Sequence, residues 1–161
     1  MKSIENWIEE YGESHQNSIN KGVHWICVPL IMLSLLALID QIPFPFSNFG
    51  LGSLNGFDIN FNWTILFLLY CVLFYFRLSK TLAIGMFIVA LVMIYLITLI
   101  KLFDPSIWKL SIVIFVVAWI GQFIGHKIEG KKPSFFQDLK FLLIGPAWLL
   151  SFIYKKIGIK L

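Results

Sequence analysis

The chain contains three histidines, His15, His24 and His126, and all three stand beside or within strongly apolar runs. A lone histidine near a membrane boundary is ordinarily a polar side chain satisfied by water or backbone. Imidazole is also the commonest protein metal ligand, and ionisable groups near membrane depth mark functional sites by default. Three imidazoles at one face, with none used elsewhere, point to a mononuclear metal centre. Histidine ligands with open coordination positions suit Fe(II), zinc or copper. Three are too few for a membrane di-iron site of the desaturase kind. A bis-histidine haem would need ligands on facing helices, deeper in the bilayer.

Spacing says how such a site must be built. His15 and His24 are nine positions apart, which on one continuous helix leaves them on opposite faces. They converge only if the chain breaks between them. Asn17, Ser18, Asn20 and Gly22 allow that break, with Asn17 or Ser18 as the N-cap of the next helix. At the other end, Gln122 and His126 are four apart and share a helix face, with Glu129 one turn on. Gly121 and Gly125 form a small-xxx-small pattern that lets another helix approach closely. The expected site therefore lies between the first and fourth apolar segments. Asn17 and Gln122 are expected to hold the far ring nitrogens of the ligands.

The elements that position these residues follow from hydropathy. Of 161 residues, 58% are hydrophobic and 14% charged, against about 45–50% and about 25% in soluble domains. One all-α integral membrane domain over residues 1–161 is expected. "SIENWIEEYGES" puts Ile4, Trp7, Ile8 and Tyr11 at helical spacing, an amphipathic helix ending near Gly12 or Ser14. Four apolar runs follow: Trp25–Ile39, about Phe61–Phe76, Thr81–Ile100, and Ile107 or Trp108 through Ile124. These predict four transmembrane helices, the first two short for a bilayer of about 30 Å. A fifth run, residues 141–154, is broken by Gly145 and Pro146 and predicts a half-span or interfacial helix.

Lys and Arg placement orients the bundle. The loop after the first span has neither and is read as outside, whereas Arg77 and Lys80 mark the next connection as inside. The stretch after the fourth span carries Lys127, Lys131, Lys132 and Lys140 and is also inside. All three histidines then fall at the cytoplasmic face. That predicts an inner-membrane protein if bacterial and an endoplasmic-reticulum protein if eukaryotic. The acidic N-terminus predicts no cleaved signal, so the first span acts as an uncleaved anchor. Cys27 and Cys71 lie in apolar runs and read as small hydrophobes. With no clustered basic face, no nucleic-acid partner is expected; membrane lipid is.

The pattern Tyr11-xxx-His15-x-Asn17-xx-Asn20-xxx-His24, followed by Val28-Pro29, resembles the start of the membrane 2-hydroxy fatty acid dioxygenase family. "WIGQFIGHKIEGKKPSFFQDLKFLLIGP", Trp119 to Pro146, resembles that family's Gln-xxx-Gly-His motif and its following basic-Pro segment. The two matches cover both ends of the chain, and the middle matches in hydropathy. The resemblance implies an Fe(II)- and O2-dependent enzyme of fatty acid α-oxidation. Its substrate would be a 2-hydroxy fatty acid, shortened by one carbon as in phytosphingosine breakdown. It implies His15, His24 and His126 as catalytic iron ligands. Tyr11, Asn17, Asn20, Gln122, Lys127 and Glu129 are the surrounding or substrate-contacting candidates, with Glu129 open as a ligand. Lys127, Lys131 or Lys132 would attract the substrate carboxylate or serve as topology anchors. Two rivals stand beside this reading: a zinc- or copper-dependent membrane lipid enzyme, and a small non-enzymatic membrane protein with structural histidines.

Overall fold

The computed structural model describes residues 3–46, 50–54, 57–130 and 142–161. It is all-helical apart from one small hairpin, with six helices among the described residues. Helix α1 (Ile4–Glu13) starts at Ser3, whose side chain accepts from the Asn6 N–H. Its apolar stripe buries Ile4 and Tyr11 and packs against α6 (Ile144–Lys156). Helix α2 (Ser18–Asp40) opens on Asn17, whose side-chain oxygen accepts from the Ile19 and Asn20 N–H groups. The break between His15 and His24 is where the spacing required it.

Helix α2, α4 (Lys80–Phe103) and α5 (Trp108–Glu129) are each long and apolar enough to cross a membrane. The first apolar run gains its length on both flanks, reaching 23 residues. Three of the four expected spans meet the length for crossing, and the remaining apolar run, the second, forms the shorter α3 (Trp63–Leu78). With 16 residues it rises about 24 Å, short of the roughly 20 residues a span requires. Side chains such as Ile84, Phe87 and Ile88 on α4, and Val113 and Val117 on α5, remain exposed. Apolar faces of that extent suit lipid contact.

The fifth run also departs from expectation. Its helix α6 has 13 residues, and Ile144 through Leu150 are all buried. A short apolar helix has too little reach to span, and here tertiary packing draws it between α1, α2 and α4. Its N-terminal half is core, whereas Phe152, Ile153, Lys155 and Lys156 are exposed. Cys71, Tyr75, Leu82, Met86, Ala147 and Tyr154 form the cluster joining α3, α4 and α6. A second cluster, with Leu36, Leu68, Ala90 and Ile97, joins α2, α3 and α4. Between α2 and α3, the segment read as a plain loop holds an antiparallel hairpin, β1 (Gly50–Leu54) and β2 (Phe57–Asn60). Cys27 and Cys71 are both free thiols, half-buried and buried respectively.

Candidate metal centre

The most extensive helix pair is α2 with α5, and two glycines explain how closely it packs. A Cβ on Gly125 would stand 2.4 Å from Asn20 Oδ1, and one on Gly121 would stand 2.7 Å from Cys27 Sγ. Both distances are far inside van der Waals contact. The small-xxx-small stripe thus brings His126 on α5 up to His24 on α2. His15 enters from the turn between α1 and α2.

The three side chains are almost fully enclosed, with exposures of 2%, 1% and 7% for His15, His24 and His126. One nitrogen from each lies within 4.8 Å of the others. The His126 ring centroid is 5.1 Å from those of both His15 and His24. His15 Nδ1 donates to the Tyr11 carbonyl at 2.6 Å, and His24 Nδ1 donates to the Asn20 carbonyl at 2.9 Å. A carbonyl can only accept, so both Nδ1 atoms carry the ring proton and both Nε2 atoms of the neutral rings present lone pairs. Those two Nε2 atoms face each other at 2.8 Å. Two lone pairs at that separation repel unless a proton or a metal cation is shared between them. A metal cation is the partner that also uses the third imidazole, so the donor set fits a single ion held by neutral histidines.

For His15 and His24, backbone carbonyls hold the far ring nitrogens. Asn17 caps α2, and the carbonyls four residues upstream of His15 and His24 take their Nδ1 protons. Gln122 lines a cavity beside the histidines. Glu129 does not join the ligand cluster. Its carboxylate accepts from the Gln16 N–H at 2.7 Å, the Asn17 N–H at 2.9 Å and Asn20 Nδ2 at 3.0 Å. It therefore pins the His15 turn and the positive N-terminus of α2 to the end of α5. There Gly130, at φ 76°, terminates the helix in the left-handed conformation that favours glycine. Asn20 serves both sides, holding His24 through its carbonyl and Glu129 through its amide.

Lys127 is exposed on the other side of α5 and does not line the cavity. Lys131 and Lys132 lie outside the described residues. Tyr11 stacks on His15 with ring centroids 4.2 Å apart. Trp148 packs against Tyr11, His15 and His24 at 5.3, 5.2 and 6.4 Å. The cavity beside the site is walled by Tyr11, Gln122, Trp119 and Gly145 among others, and the Trp119 indole N–H is buried with no hydrogen-bond partner among the described residues. Sequence reasoning missed Trp148 and Trp119. An aromatic inside an apolar run carries no signal of which polar neighbour it will cover.

A family model described as "2-hydroxy-palmitic acid dioxygenase Mpo1-like" matches residues 1–157. No curated protein and no solved structure matches the chain.

Proposed function

The chain belongs to the Mpo1-like family of 2-hydroxy-palmitic acid dioxygenases, and from that premise we propose that it shortens 2-hydroxy fatty acids by one carbon at a mononuclear Fe(II) site. His15, His24 and His126 would hold the iron. The observation that carries this reading is the pair of facing Nε2 lone pairs at 2.8 Å, each fixed by a carbonyl behind its ring. Bound iron would supply O2 activation and the open positions at which a non-haem oxygenase takes its reactants.

The residues of the chain do the rest. The Tyr11 and Asn20 carbonyls keep both Nε2 atoms turned inward. Glu129 holds the turn that delivers His15. Tyr11 and Trp148 cover the imidazoles and exclude water from one side, leaving access through the cavity beside Gln122. Three imidazoles are neutral ligands, so a divalent ion among them keeps its full charge and favours an anionic substrate carboxylate. The buried Gln122 side chain and the unpartnered Trp119 N–H line the approach and suit the oxygens of a 2-hydroxy acid head.

The reaction balances without an external reductant. The 2-hydroxy acid and one O2 give the acid one carbon shorter, CO2 and water. The C1–C2 bond breaks, the hydroxyl carbon gives up three electrons and the carboxyl carbon one, and these four reduce O2. The site is assigned to the cytoplasmic face because Arg77, Lys80 and Lys127 share its end of the bundle.

The test uses purified full-length protein loaded with Fe(II) and supplied with a 2-hydroxy fatty acid and O2. The shortened acid should appear by mass spectrometry, and His15→Ala, His24→Ala and His126→Ala should each lose metal and product. Retention of metal in all three variants would remove the site assignment. Three histidines with an open position are also a catalytic zinc set. Full zinc occupancy with no O2 uptake would favour that second reading.

A further inference from the structure

Resting on that reading of the head-group site, we propose that the acyl tail lies inside the bundle, in a slot between α2, α3 and α4. It would reach the slot from the histidines through a passage bounded by Met32, Leu142 and Pro146. Those three residues wall two cavities at once. One is the cavity holding His24, Gln122 and His126; the other is lined by Leu36, Phe67, Cys71, Val72 and Val89 among others. The second cavity is apolar, and each residue lining it is buried or half-buried. It is therefore interior to the bundle and distinct from the lipid-facing surface. Its nearest hydroxyl, on Tyr75, already donates to the Leu143 carbonyl at 2.6 Å.

Length agrees with a membrane-derived chain. From His24 to Leu36, along α2, is twelve positions, or about 18 Å of helix axis. One leaflet of a hydrocarbon core of about 30 Å occupies about 15 Å. The path thus matches in length the tails of ordinary bilayer lipids. Met32, flexible and half-buried, stands where the two cavities meet, and a thioether chain adapts its shape to a passing tail. It is the specificity-determining residue of this path.

The experiment combines two readouts on the full chain in lipid-containing micelles. A long-chain 2-hydroxy acid with a photoreactive diazirine at its methyl end is crosslinked to the wild-type protein and the label mapped by mass spectrometry. Labels are expected on Phe67, Cys71, Val72 and Val89. Labels on the outward-facing Leu69, Leu73, Ile88 and Leu91 would overturn the slot. Separately, the Met32→Phe variant should lower the ratio of kcat/KM for a sixteen-carbon over an eight-carbon 2-hydroxy acid at least tenfold. Each buried methylene contributes about fourfold, so loss of a few suffices. An unchanged ratio would overturn Met32 as the passage. If Met32→Phe does not fold, Val89→Phe narrows the same slot from α4 and is read in the same way. Slot labelling without turnover would sink the proposed reaction and keep the tail path. Turnover with outward labelling would do the reverse.

Discussion

Glu129→Ala removes a carboxylate that touches no metal candidate yet accepts from three donors, the Gln16 and Asn17 N–H groups and the Asn20 amide. Hydrogen bonds to a charged group contribute about 1.5–3 kcal/mol each when well shielded. Glu129 is partly open to solvent, so about 1 kcal/mol for each bond is the appropriate scale. The sum is about 2–3 kcal/mol on the equilibrium that keeps the His15 turn docked on α5. The His15 N–H bond to the Gly12 carbonyl at 3.0 Å persists in the variant, so the turn is loosened and not abolished. At about 1.4 kcal/mol per decade, metal affinity should fall about 30–100-fold. The assay is competition with a metal chelator on purified protein, with helical content checked by circular dichroism. Glu129→Gln, keeping an acceptor oxygen without its charge, should recover part of the loss. Lys127→Ala, two residues away and exposed, should bind like the wild type. Unchanged affinity in a folded Glu129→Ala protein would refute the idea that this carboxylate sets His15.

Other consequences are simpler. Gly125→Ala forces a Cβ against Asn20 Oδ1, in an amide whose Nδ2 is held by Glu129, and should cost about 1–3 kcal/mol. It should lower the thermal midpoint by about 2–4 °C for each of those and weaken metal binding with it; a wild-type midpoint would show that α2 and α5 can part freely. Tyr154→Phe removes the hydroxyl that donates to the Thr81 carbonyl at 2.9 Å, and should destabilise by about 1–3 kcal/mol with metal content unchanged. Metal loss in that variant would mean that α6 transmits strain to the histidines. Stripping the metal from the wild type should lower its thermal midpoint, since an ion at 100 times its Kd adds about 2.7 kcal/mol. Acidification should do the same, because protonated imidazole cannot ligate. A midpoint insensitive to chelator would contradict an ion at this centre.

Much of this arrangement was legible in particular residues. The break after α1 followed from nine-residue spacing together with Asn17 and Ser18, and the α2–α5 pairing from Gly121 and Gly125. Each is a local geometric constraint that the sequence states directly. Glu129 was legible as a neighbour of His126 one turn on, but its partners were not, because the donors, two backbone N–H groups and the Asn20 amide, lie more than a hundred positions away. The carbonyls that hold the far ring nitrogens of His15 and His24 were not legible, since a carbonyl is present at every position and leaves no mark. The hairpin of β1 and β2 is passed over by a reading of loop charge alone. The burial of α6 was illegible for the opposite reason: a short apolar helix suits an interface and a core equally until its neighbours are placed.

Charge disposition links these details to chemistry. Glu129 is the acidic residue nearest the histidines along α5, and its oxygens are engaged by the N-terminus of α2 and by Asn20. That engagement keeps a carboxylate available for positioning while withholding it from the ion. A centre built this way has neutral protein ligands and an apolar surround, in which an uncompensated divalent charge is costly. On the proposed reading, the ligand that relieves the cost would be an anion with an apolar chain behind its head. A fatty acid bearing a second oxygen beside its carboxylate meets both conditions. On that reading, the three hydrogen bonds that fold the His15 turn would therefore also bear on which molecules the centre admits.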